Sequence, residues 1–132
     1  MIKYLFGIIA LSVSVAGVAG VRDPRPLTAA DRAAVSAAVT KKLDNPRSAR
    51  FKWLPMTGTF QDYCGYVNAK DRSGSYIGFT PFHAQIIVGA YLKVKGAALI
   101  GMGDGDPESK ETRVTVQMCR NAGININGSP SD

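Results

Sequence analysis

The chain has little with which to do covalent chemistry. It carries one histidine, His83, and two cysteines, Cys64 and Cys119. A general base needs an orienting partner, and the residues beside His83 supply none; a histidine at a strand edge with a structural hydrogen bond is the simpler reading. The cysteines are too far apart for a CxxC redox pair, and two cysteines with one histidine are poor material for a zinc site. No GK[ST] follows Gly101-Met102-Gly103, so that segment is not a phosphate-binding loop. There is also no run of five or six like charges. The 16 Lys and Arg residues against 10 Asp and Glu are spread along the chain, as a solvated surface would have them. No catalytic residue and no cofactor is expected.

Apolar residues are plentiful but unevenly placed. Residues 4–21 contain no charge, Lys3 precedes them, and Val18-Ala19-Gly20 offers the small residues a signal peptidase accepts. Residues 1–20 therefore read as a secretory signal peptide. The other reading is an inner-membrane anchor made of residues 4–21, whose length is near the lower limit for a span. Either way the remainder lies in a periplasmic or secreted, oxidising setting, where an even cysteine pair forms a bridge. A Cys64–Cys119 disulfide closing a loop of about 56 residues would contribute about 4 kcal/mol in the chain-entropy picture.

Past an extended lead-in, residues 21–27, a helix is well marked. Thr28 is a good N-cap, and Asp31 completes a capping-box-like pair. Ala30, Ala34, Val35, Ala38, Val39 and Leu43 recur at helical spacing, and Asn45-Pro46 stops the run. Strand patterns follow over 51–54, 60–70, 76–82, 84–94, 97–100 and 113–119, with turns at Ser73-Gly74-Ser75 and Lys95-Gly96. The expected fold is α+β, a single domain over residues 28–121. One N-terminal helix packs across one face of an antiparallel sheet of five or six strands. Strand parity places both cysteines on the face away from that helix. Residues 122–132, rich in Gly, Asn and Ser, read as a flexible tail.

Two clusters deserve weighing as sites. Asp104, Asp106 and Glu108 alternate like the start of a calcium loop. Pro107 interrupts the pattern, Ser109 replaces the glycine of position 6, and Thr115 replaces the glutamate of position 12, so a hairpin loop is the better reading. Tyr63, Tyr66, Tyr76, Phe79 and Phe82 crowd the central hairpin. They form either the core of a small sheet or, if exposed together, an interaction surface.

Leu43-Asp44-Asn45-Pro46-Arg47-Ser48-Ala49-Arg50-Phe51 is followed by Cys64-Gly65-Tyr66-Val67-Asn68-Ala69-Lys70 and by Gly74-Ser75-Tyr76-Ile77-Gly78-Phe79-Thr80-Pro81-Phe82. Together these resemble a group of small exported proteobacterial proteins with an NPxSAxF…CGxVNAKxxxGxYxGFxxF pattern. Asp71 and Ser75 depart from it, where the group has Asn and Gly. The resemblance implies export and a hairpin, and it carries no catalytic residues. The expected function is a non-enzymatic periplasmic binding or interaction module, an accessory of envelope or secretion machinery. Its partner is a protein or envelope component, not nucleic acid, with membrane contact only through an uncleaved signal segment. Rival readings are an inhibitor or immunity-type protein that plugs a hydrolase or toxin with the loop 101–110, and an uncharacterised enzyme.

Overall fold

The structure, a computed structural model, describes residues 27–58 and 61–130. The signal segment 1–20 and most of the lead-in lie outside the described residues. Helix α1 (Ala29–Thr40) begins at a complete capping box. Thr28 Oγ1 accepts from the Asp31 amide at 3.1 Å, and Asp31 Oδ2 accepts from the Thr28 amide at 2.9 Å. Two of the four free amides of the first turn are thus satisfied by local sequence alone. A short 3-10 turn, Pro46–Ser48, ends the connection.

Four strands then form a simple antiparallel meander: β1 (Arg50–Lys52), β2 (Asp62–Asn68), β3 (Thr80–Val88) and β4 (Val94–Met102), in that spatial order. Helix α2 (Lys110–Asn121) follows. The chain is α+β as expected, but among the described residues there are four strands where five or six were read, and two α-helices where one was.

Three differences account for this. The segment 113–119 is helical, not extended. Its buried residues are Thr112, Thr115, Val116 and Cys119, spaced three and four apart, and the alternation of Val114, Val116 and Met118 mimicked a strand. The runs 76–82 and 84–94 are not two strands. Extended pairing starts only at Thr80, after Gly78 at φ 95°, and passes straight through Phe82 and His83. The turn then falls inside the second run, at residues 89–93, where Tyr91 and Leu92 take left-handed φ values of 58° and 57°. Gly96, read as a turn, instead pairs with Ile87 within the β3–β4 ladder. Finally, residues 122–126 are not a frayed tail, because Ala122, Ile124 and Ile126 are buried.

The helices cover opposite faces of the sheet. On one side Val35 and Val39 of α1 meet Tyr63, Val67, Phe82, Ala84 and Ile86, with Leu27 and Met56 closing the edge. Strand parity sends Cys64 and Tyr66 to the other side, where Cys119, Ala122, Ile124 and Ile126 receive them. The second core is small, and the bridge lies in its middle. Cys64 and Cys119 are fully buried and joined, with Cα atoms 6.1 Å apart. The bridge is on the face away from α1, but what it ties to β2 is the second helix.

Candidate functional site

The five central aromatics do not share a surface. Tyr63 and Phe82 lie in the α1-side core and Tyr66 in the α2-side core, all buried; Tyr76 and Phe79 are half-buried in the loop between β2 and β3. Their polar ends are used internally. The Tyr63 hydroxyl accepts from the Leu54 amide at 2.7 Å and donates to the Leu54 carbonyl at 3.0 Å. Burial pushes its pKa up to about 12, against the opposing pull of those Leu54 bonds and of the Arg32 charge. Tyr66 exchanges the same pair of bonds with Asn127, and Tyr76 donates to the Ser48 carbonyl. These rings hold loops to the sheet.

Asp104, Asp106 and Glu108 do not converge. Asp104 Oδ1 accepts from the Asp106 amide, the Ser109 hydroxyl at 2.7 Å and the Thr112 hydroxyl, while Asp106 Oδ1 accepts from the Glu108 amide. The Ser109 hydroxyl, then the Asp106 amide, holds the Asp104 carboxyl below its ordinary pKa. Ser109 in turn caps α2 by accepting from the Thr112 amide. The acidic loop is a helix-entry device, and among the described residues no three His, Cys, Asp or Glu side chains gather to hold a metal. The loop 101–110 is anchored at its base, with Asp104, Asp106 and Glu108 exposed. Gly101 and Met102 belong to β4, and the Gly105 amide donates to the buried Thr80 hydroxyl.

His83 has a partner that linear sequence hides. Nε2 lies 2.8 Å from Asp62 Oδ1, brought there by the β2–β3 register in which His83 stands opposite Cys64. The histidine side chain is 7% exposed and that of Asp62 20%, and His83 Nδ1 has no partner among the described residues. No hydroxyl or thiol nucleophile stands within hydrogen-bond reach of it among those residues. The contact links β2 to β3 on the α2 side, and His83 lies within the central strand β3, not at the strand edge where the sequence placed it.

What the fold leaves open is the far edge of the sheet. Strand β4 has nine residues and pairs only with β3 among the described strands. Each helix meets this strand incompletely, so a groove runs along each of its faces. On the α1 side about 450 Å³ is bounded by Ala30, Ala34, Ala37, Lys41, Gly96 and Ala97. On the α2 side about 310 Å³ is bounded by Ile100, Met102, Lys110, Val114 and Met118. Ile100 and Val114 are each nearly half exposed. The sequence carried a trace of this surface in the alanine-rich stripe of α1, but its position beside an edge strand depends on sheet order.

Neither family models, nor curated proteins, nor solved structures give any match to this chain. The buried disulfide fits a non-cytoplasmic setting. Among the described residues no helix is long and apolar enough to cross a membrane.

Proposed function

We propose that this protein is a non-enzymatic binding module of the exported compartment, which captures an extended segment of a partner protein along β4. The observation that carries this is the nine-residue edge strand with an unfilled groove on each face. A strand added to an edge gains main-chain hydrogen bonds, and its alternate side chains point to opposite faces. Here both sets of side chains have a place to go: small or β-branched ones against the alanines of α1, larger apolar ones between Ile100, Val114 and Met118.

Charge narrows the partner. Lys41, Lys95 and Lys110 rim the two grooves against the single Glu111. An apolar strand with acidic flanks complements this rim, whereas a second copy of the chain would double the positive charge. The role fits an accessory of envelope or secretion machinery. The His83–Asp62 contact, with the histidine spent on an in-sheet partner, supports a binder over an enzyme.

The test is a titration followed by amide NMR. The probe is a synthetic peptide of alternating Val and Thr with a Glu pair at each end. Perturbed amides confined to Val94–Met102 and the facing turns of α1 and α2, weakened by Ile100→Glu and by Ala37→Trp, are the expected result. A peptide with Lys in place of Glu binding equally well would refute the charge argument. Concentration-dependent dimerisation through β4, lost in Ile100→Glu, would replace the partner strand with a second copy.

A further inference from the structure

On the opposite edge of the sheet the cations are arranged differently. Arg50 and Lys52 alternate along β1, so they project to the same face, the one that carries Tyr66 and the disulfide. The Arg50 guanidinium lies 4.3 Å from the centre of the Tyr76 ring, and the Lys70 ammonium lies 5.5 Å from the same centre. Beside them the Lys52 ammonium sits 4.7 Å from the Phe79 ring. Three cations are thus held by two rings anchored to the body of the protein: Tyr76 by its bond to the Ser48 carbonyl, and Phe79 by packing on the α2-side core.

Among the described residues none of the three has a carboxylate at ion-pair distance. The nearby acids are engaged elsewhere, Asp44 with Arg72 at 3.3 Å and Asp71 with the hydroxyl and amide of Ser73. Two cations sharing one ring repel each other, and the aromatic faces attract each of them but cancel no charge. A groove of about 460 Å³ begins at Lys52 and continues past Trp53, Tyr66 and Asn127. Positive charges held on aromatic rings beside an open groove are suited to a flexible chain carrying regularly spaced anions.

We propose that Arg50, Lys52 and Lys70 form a binding site for a linear phosphate-bearing polyanion, separate from the β4 edge and independent of the function proposed for it. Each cation would neutralise one phosphate and release its condensed counterion. For three contacts on a single flexible strand, the logarithm of the association constant should fall with the logarithm of salt at a slope of about −2.

The experiment uses the full chain in non-ionic detergent with long-chain inorganic polyphosphate as the probe, measured by fluorescence anisotropy across a salt series. Arg50→Gln, Lys52→Gln and Lys70→Gln should each lower affinity about fivefold near 0.1 M salt and flatten the slope by about 0.7. Lys93→Gln, on the other edge, should change neither. An unchanged slope in the three charge variants overturns the proposal, as does equal binding of poly-glutamate, which would remove phosphate from the account. Phosphatidylglycerol vesicles form a second arm. Binding there but not to polyphosphate would make the site a lipid-headgroup surface and refute the polymer reading.

Discussion

Reducing the Cys64–Cys119 bridge should split the molecule's two cores energetically. The cysteines are 55 residues apart, and cross-linking removes denatured-state entropy worth about 4 kcal/mol for a loop of that length. A domain of this size has about 5–15 kcal/mol in total, so the bridge accounts for a large share. The loss should also be uneven. The α1-side core contains Val35, Val39, Tyr63, Val67, Phe82 and Ile86, none of which needs the bridge. The α2-side core is smaller, with Tyr66, Ala122, Ile124 and Ile126 buried around the sulfurs and Leu54 and Phe79 half-buried against them, and α2 makes few contacts with β2 otherwise. In a Cys64→Ser, Cys119→Ser variant, urea unfolding should shift downward by about 2 M at an ordinary slope. Native-state amide exchange should accelerate in α2 and residues 122–126 well before α1 and the centre of the sheet. Unfolding free energies of parent and variant within about 1 kcal/mol of each other would refute the entropic argument. Uniform acceleration of exchange across both helices would refute the two-core picture.

Two further outcomes follow from single side chains. Tyr63 holds its phenol proton to about pH 12 because burial disfavours the phenolate, whereas the unfolded chain releases it near 10. The folded pKa is the higher one, so this contribution to stability is intact below pH 10 and is lost as pH rises from 10 to 12. Tyr63→Phe should remove that alkaline decline while costing about 1–2 kcal/mol at neutral pH through the orphaned Leu54 groups, as denaturant titrations at both pH values would read. At Gly103 an added Cβ would run into the hydroxyls of Thr80 and Thr112, both buried, so Gly103→Ala should cost about 3 kcal/mol; a thermal midpoint equal to the parent's would refute this.

Some of this architecture is written in short stretches of sequence and some is not. Thr28, Asp31 and Pro46 act on neighbours a few residues away, so the first helix and its end can be read from residues alone. The bridge was legible because a count of two cysteines leaves one pairing once an oxidising compartment is expected. The second helix was not, and the reason is chemical. Its buried face includes Thr112 and Thr115, whose hydroxyls are satisfied locally by Ser109 or Asp104 and by the Glu111 carbonyl. A search for apolar periodicity does not count threonine, so it found only the alternation Val114, Val116, Met118. The β3–β4 turn was hidden by a related cause. Tyr91 and Leu92 occupy backbone conformations normally assigned to glycine or asparagine, and no composition rule anticipates them. His83 and Asp62 are 21 residues apart and meet only through strand register.

The two edges of the sheet differ in how they are protected against further pairing. An unprotected edge invites pairing, and natural sheets blunt edges by keeping them short or charged. Strand β1 does both: it has three residues, and two of them are Arg50 and Lys52. Strand β4 does neither along most of its length. It has nine residues, and from Gly96 to Met102 it carries no charge. A bulge between His83 and Ala84 disturbs its pairing with β3 at Ile100, turning that side chain outward beside Val114. An edge of this length and composition would be an aggregation hazard in a monomer with nothing to place on it. Its retention beside two grooves therefore argues for a strand that fills it, and placing a lysine at Ala98 should abolish that pairing while leaving the fold intact.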